Sequence, residues 1–277
     1  MSEAQVHVSP ADFDFFRGWL RTRSAIVLEL GKEYLVETRL EPVARAAHLA
    51  DVGAVLRQLR QGGPASLELM VVEALTTNET SFFRDWKPFE ALRTLLVPAL
   101  VERRAAEKKL VLWSAACSSG QEAYSVAMLL ADHFPQLAAW DVSIHCTDLS
   151  TEMVARTRAG RFSQLQVNRG LPAPMLVKHF RQEGNDWQAS AALRARIKVA
   201  QLNLAGAWPL LPQMDLVLMR NVLIYFDVPT RKAILDRVLR VLRPGGILLL
   251  GSAETTLGLH DGYKRIEAGG TTYFASA

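Results

Sequence analysis

Five short segments of this 277-residue chain carry side chains whose types and order could do chemistry. The first, Ser114-Ala115-Ala116-Cys117-Ser118-Ser119-Gly120-Gln121-Glu122, follows an apolar run and opens a helical pattern. Its small side chains let a backbone turn approach a ligand closely, and they equally suit a tight strand-to-helix turn. Only Gly120 is a glycine, so the G-x-G-x-x-G spacing is absent and a pyrophosphate ligand is disfavoured. In Cys146-Thr147-Asp148-Leu149-Ser150, Asp148 closes a second apolar run. A carboxylate there can grip ribose hydroxyls in a doubly wound sheet, or cap the next helix as Ser150 also can. Asn203, in Gln201-Leu202-Asn203-Leu204, offers an amide to an adenine edge, although turn chemistry accounts for it when taken alone. Arg220-Asn221 directly follows the apolar run 215–219, where open α/β sheets place their ligands. A solvated arginine beside a packed Tyr225 is the plainer account. Finally, residues 76–85 (TTNETSFFRD) crowd hydroxyls, an amide and Arg84 around a Phe pair; this is a polar linker or a ligand-facing seam.

The elements that must position these residues divide the chain in two. Up to about Leu75 the pattern is helical: Ser9-Pro10-Ala11-Asp12 reads as a cap with Pro at the first helical position, followed by Phe13, Phe16 and Leu20 on one stripe. Further helices are expected over 32–47, with Leu35, Val36, Leu40 and Val43 inward, and over 51–61, stopped by Gly62-Gly63-Pro64. A fourth begins at Ser66. After Lys109, apolar runs at 110–113, 142–146, 196–201 and 215–219 alternate with helical patterns at 121–133 and 230–242. Arg243-Pro244-Gly245-Gly246 is expected to turn into a strand at 247–250, and Gly269-Gly270 to join a terminal hairpin. Strand-helix alternation implies a mostly parallel sheet covered on both faces. The fold class is therefore α/β: a helical domain over 1–80, a linker helix over 81–109, and a nucleotide-type domain over 110–277. Between Arg156 and Lys198 the regularity lapses, and nine basic residues face only Glu183 and Asp186; a β-hairpin across 179–190 fits an inserted subdomain at about 160–200.

Composition narrows the function classes. Net charge is +4, too small an excess to argue for nucleic acid. Two cysteines exclude a disulfide scaffold and suit a reducing cytosol. The start, MSEAQVHVSPADFD, lacks a basic, apolar secretory leader, and no apolar run is long enough to span a bilayer. The six histidines show no paired-ligand spacing, so no metal site is expected, and Cys117 and Cys146 read as small buried residues.

The segments TTNETSFFRD (76–85), LWSAACSSGQEAYSVAMLL (112–130), CTDLS (146–150) and RNVLIYFD (220–227), in this order, resemble the CheR family of chemoreceptor glutamate methyltransferases. The resemblance runs over nearly the whole chain. It implies a helical N-terminal domain, a Rossmann-like methyltransferase domain with a small β-subdomain insertion, S-adenosylmethionine as cofactor and S-adenosylhomocysteine as product. Asn78, Thr80, Arg84, Glu122, Asp148, Asn203, Leu204, Arg220 and Asn221 are then expected at the cofactor, with Arg84 and Tyr225 nearest the transferred methyl. The implied partner is the helical cytoplasmic domain of a methyl-accepting chemoreceptor, which makes the expected location cytoplasmic, with no nucleic acid and no membrane insertion.

Two features depart from the family's pattern. The 160–200 insertion is recognisable by position only. The helical part, residues 1–76, carries eight basic against ten acidic residues, so any positive receptor-facing patch must come from clustering such as Arg17, Arg21 and Arg23. The rivals are a non-catalytic cofactor sensor and a methyltransferase with another substrate; no N-P-P-Y motif follows the fourth strand, where Arg220-Asn221 stands.

Overall fold

The computed structural model describes residues 8–276. The opening MSEAQVH, part of the stretch read as lacking a leader, lies outside the described residues.

The described residues form two compact units, one of residues 8–77 with 225–227, the other of residues 78–224 and 228–276. In the first, α1 (Pro10–Ser24) starts where Ser9 Oγ accepts the Asp12 N–H at 3.2 Å, and it buries Phe13, Phe16 and Leu20. Next come α2 (Glu33–Ala46), α3 (Val52–Arg60) and α4 (Ala65–Ala74). Asp51 caps α3, which buries Val52, Val55, Leu56 and Leu59. Leu35, expected inward, is only half-buried, as are Met70 and Ala74 of α4. Residues 225–227 join this unit through an Ile26–Phe226 bridge and a Val27 N–H to Tyr225 carbonyl bond of 3.0 Å. The arginines of the proposed patch are engaged here: Arg17 with the Leu28 carbonyl and Asp14, Arg21 with Asp227, Arg23 with Glu68.

The second unit opens with α5 (Lys87–Ala91), a π-turn at Leu92–Leu96 and α6 (Val97–Arg103), so the helix of the linker stretch occupies 87–103 of the expected 81–109. Then follow β1 (Lys109–Ala115), α7 (Gln121–His133), β2 (Asp141–Asp148), α8 (Thr151–Ala159) and β3 (Arg161–Ser163). After α9 (Gln164–Asn168) and α10 (Ala173–His179) come the hairpin strands β4 (Phe180–Glu183) and β5 (Asp186–Ala189), then α11 (Ala191–Arg194). The chain ends with β6 (Ile197–Gln201), β7 (Met214–Met219), α12 (Val228–Val241), β8 (Leu242–Leu250), β9 (Tyr263–Ala268) and β10 (Thr271–Ser276).

Seven strands make one sheet in the order β6-β2-β1-β7-β8-β10-β9. The first five are parallel, and β10 runs antiparallel to both neighbours. β7 is buried along its whole length and β1 from Leu110 onward, as parallel strands covered on both faces must be, and this explains their continuous apolar runs. The register Ala115–Thr147 and Met219–Leu250 brings the carboxyl ends of β1, β2, β7 and β8 to one edge of the sheet.

Arg243-Pro244-Gly245-Gly246 does not precede the last parallel strand as a separate turn; it lies inside β8. The pairing jumps from Met214–Leu242 to Leu216–Ile247, so these residues bulge out of the ladder. Gly245 sits at φ +70, and a Cβ on Gly246 would stand 2.8 Å from the Arg243 carbonyl.

The insertion is a three-stranded antiparallel sheet, β3-β5-β4. It is anchored by Phe82, Phe162, Phe180 and Tyr124, which meet edge to face at 5.0–5.9 Å. Burial pushes the Tyr124 hydroxyl pKa upward, so it stays protonated and donates to the Thr157 carbonyl at 3.1 Å. No helix among the described residues is long and apolar enough to cross a membrane.

Candidate active site

The turn between β1 and α7 winds tightly: Ala116 and Ser118 adopt φ +54 and +52, and Gly120, at +96, precedes the helix. A Cβ at Gly120 would meet Thr157 at 3.0 Å, so small size and a left-handed backbone are both required there. The turn is fastened to β2 by the Cys117 N–H to Thr147 carbonyl bond of 2.9 Å. It is also fastened by Asp148, which accepts the Ser118 N–H at 2.8 Å and the Ser150 N–H at 3.0 Å. Asp148 is buried, and these two donors orient its carboxylate at the end of β2. Ser118 Oγ donates to the Asn78 carbonyl at 2.8 Å, which draws the segment carrying Asn78 and Thr80 to the same turn.

In the first turn of α7, Glu122 accepts from Ser114 Oγ at 3.0 Å and from Arg220 Nη1 at 2.9 Å. Arg220 is the hub of this corner. Its Nη2 donates to the Arg84 carbonyl at 3.0 Å and to Asp85 Oδ2 at 2.7 Å, and its guanidinium lies 5.7 Å from the Phe89 ring centroid. The side chain is only 2% exposed, yet Nε has no hydrogen-bond partner. Both terminal nitrogens are thus committed to protein acceptors. Arg84 donates from Nη1 to the Glu79 carbonyl at 3.1 Å. Around it, Phe83, Asp85 and Trp86 hold φ of +48, +69 and +45, a run of left-handed non-glycine residues.

Asn203 turns its amide oxygen on its own chain, accepting the Ala205 N–H at 2.9 Å. The carbonyl of the buried Leu204 accepts from Trp208 Nε1 at 3.0 Å. Trp208 also meets Trp113 edge to face at 5.1 Å and Arg237 at 4.9 Å, an aromatic wall that the sequence patterns passed over. Asn221 adopts φ +58. Its N–H is held by Glu254, a residue not singled out from the sequence although it lies just beyond β8, where the strand-end rule that picked out Asp148 applies equally. Tyr225 ends a short 3-10 turn, Leu223–Tyr225, and groups with the first unit. The structure thus brings Asn78, Arg84, Glu122, Asp148, Arg220 and Asn221 to the strand-end edge of the second unit, with Asn203 and Leu204 just beyond β6.

Beside this edge opens a cleft of about 820 Å³, lined by Asp85, Lys87, Gly251, Glu254, Arg265 and Thr272 among others. Cys117 and Cys146 are free thiols. Contact with Cys117 and burial hold the Cys146 thiol well above its usual pKa, so it supplies no thiolate. No cluster of metal-ligating side chains occurs among the described residues.

The residues present fit a nucleoside bearing an amino-acid tail. Asp148, acceptor-only and buried, suits a ribose diol, and Glu122 suits an ammonium; the tight turn between them leaves the backbone close to a ligand. Comparison with known proteins agrees. The family described as "CheR methyltransferase, SAM binding domain" matches residues 78–271, and "CheR methyltransferase, all-alpha domain" matches residues 11–76. The chain is 39% identical over 264 residues to chemotaxis protein methyltransferase 1 of Pseudomonas aeruginosa, covering 93% of this chain and 94% of that one. It is 36% identical over 261 residues to chemotaxis protein methyltransferase Cher2 of Pseudomonas putida, covering 92% and 94%. The corresponding protein of Vibrio parahaemolyticus is 35% identical over 266 residues, with 94% and 95% covered.

Proposed function

The chain belongs to the CheR methyltransferase family, and from that premise we propose that it methylates glutamate side chains in the helical cytoplasmic domain of a chemoreceptor. It is an S-adenosylmethionine-dependent protein-glutamate methyltransferase of chemotaxis signalling. The receptor as partner and the cytoplasm as its place of action belong to the proposal.

The bound cofactor supplies a methyl group already activated as a sulfonium. Asp148 would take the ribose hydroxyls and Glu122 the ammonium, with Asn78 and Thr80 along the same turn and Asn203 and Leu204 toward the base. The glutamate to be methylated is ionised near neutral pH, so the chain needs no general base. Its task is orientation and exclusion of water. Arg84 is assigned the positioning of the incoming carboxylate rather than its activation, because a tight ion pair to the nucleophile would blunt it; for Tyr225 the family resemblance implies a place near the transferred methyl. Arg220 acts indirectly in this reading: it holds Glu122, Asp85 and the Arg84 carbonyl in one arrangement. Asn221 forms the adjoining loop.

The observation that carries the reading is the pair of carboxylates, Asp148 at the end of β2 and Glu122 in the first turn of the helix that follows the adjacent parallel strand β1, each held by neighbouring donors. The test is incubation with methyl-labelled S-adenosylmethionine and receptor-bearing membranes. Label that alkali releases as methanol is expected, and Arg84→Ala should lower its rate. Alkali-stable label, or none, would refute the glutamate substrate, and a fully active Arg84→Ala would refute the role of Arg84.

A further inference from the structure

The carboxylate of Glu254 accepts four backbone N–H groups: Gly251 and Asn221 on Oε2, both at 2.7 Å, and Val222 and Leu223 on Oε1, at 2.8 and 2.7 Å. They come from the two loops that leave the carboxyl ends of the adjacent strands β7 and β8. One carboxylate has about four lone-pair sites, and here each meets a donor in a charge-assisted bond. The clamp closes only over a glycine: a Cβ on Gly251 would stand 2.7 Å from Glu254 Oε2 and 2.9 Å from the Asn221 nitrogen. Asn221, which it holds, is in the left-handed region at φ +58. Such a conformation persists in a non-glycine residue only where its surroundings over-determine it. Glu254 and Gly251 also line the cleft of about 820 Å³.

We propose that Glu254 is a positioning residue for methyl transfer. It touches no reacting atom; it fixes the backbone of 221–223, which leads directly into Tyr225 and forms the loop beside the transferred group. The inference rests on the methyltransferase reading above and adds a residue that reading does not contain.

The test is Glu254→Gln in the full chain. Glutamine keeps the shape but offers one acceptor oxygen and turns an NH₂ group on the donors it should receive. Hydrogen exchange should quicken at least tenfold at two or more of the amides of 221–223 and 251, with β1 amides unchanged. Transfer of alkali-labile methyl to receptor-bearing membranes should fall at least tenfold in kcat, while the Kd for S-adenosylhomocysteine and the KM for membranes stay within threefold. Gly251→Ala, which crowds the clamp while keeping the carboxylate, should give the same split.

Three outcomes would overturn the proposal: unchanged exchange at those amides, quickened exchange with full kcat, or a kcat loss matched in both variants by lost S-adenosylhomocysteine binding and exposed β1 amides. If the unsubstituted protein transfers no alkali-labile label, the functional reading fails and this one with it. Full transfer by Glu254→Gln sinks this one alone.

Discussion

Replacing Arg220 by methionine keeps an apolar stem of similar reach to Arg Nε and removes the guanidinium. Three interactions go with it. Glu122, 14% exposed, loses its guanidinium partner at 2.9 Å and retains the Ser114 hydroxyl. Breaking a buried pair from one side costs roughly 3–5 kcal/mol, because the remaining charge stays desolvated. The bond to the Arg84 carbonyl adds about 1 kcal/mol. Asp85 is 44% exposed, and solvent screening reduces its share to a few tenths of a kcal/mol. Methionine offsets part of the loss, since it packs against Phe89 and buries no orphaned Nε. The net expectation is a loss of about 3 kcal/mol. Hydrogen exchange at the slowest amides of β1 and β7 measures it for this unit alone. Adding Glu122→Gln to Arg220→Met should restore about 1–2 kcal/mol by neutralising the stranded carboxylate. A loss below ~1 kcal/mol, or a second substitution that restores nothing, would show that the pair does not hold this corner and that Ser114 alone orients Glu122.

Asp148→Asn should weaken S-adenosylhomocysteine binding about 30- to 1,000-fold in calorimetry, the equivalent of one or two charge-assisted bonds of roughly 2 kcal/mol each; an unchanged Kd would remove Asp148 from the cofactor site. Asp132 joins α7 to the inserted subdomain by accepting from Lys178 at 2.6 Å and His179 at 2.8 Å. Burial raises its carboxyl pKa, but these two bonds outweigh burial and leave it below the usual value. A depressed carboxyl contributes stability above its unfolded pKa of about 3.9 and loses it as pH falls through the folded value. Asp132→Asn should therefore melt lower than the unsubstituted protein at pH 7, with the gap closing below about pH 4; a gap independent of pH would refute the assignment.

The sheet was legible because parallel strands buried on both faces write themselves as apolar runs, and α7 matched its expected ends at Gln121 and His133. The short helices α9 to α11 were not, because segments of four to seven residues take their form from packing rather than from a periodicity they are too short to show. Within the site, the strand-end rule found Asp148 and the Arg220-Asn221 pair but could not say what Arg220 touches. Its partners Glu122 and Asp85 lie 98 and 135 positions away in the chain. Glu254 escaped for a related reason: in GSAET a carboxylate among small residues is indistinguishable from turn chemistry until the loop after β7 is seen to fold onto it.

The stability of this corner and its proposed chemistry share one physical cause. Three left-handed non-glycine residues, Phe83, Asp85 and Trp86, surround Arg84. Each costs on the order of 1 kcal/mol relative to an ordinary backbone, so the segment left to itself would relax. It is held by the Phe83 N–H on Ser125 Oγ at 3.0 Å and by the Arg220 fork on the Arg84 carbonyl and Asp85. The fork's bonds to this segment, about 1 kcal/mol to the Arg84 carbonyl and a few tenths to the exposed Asp85, oppose part of that strain, and the Glu122 pair fixes the guanidinium that makes them. The direction of the Arg84 side chain is therefore coupled to the Glu122–Arg220 pair. A substitution that frees the pair should move Arg84 even though Arg84 itself is unaltered.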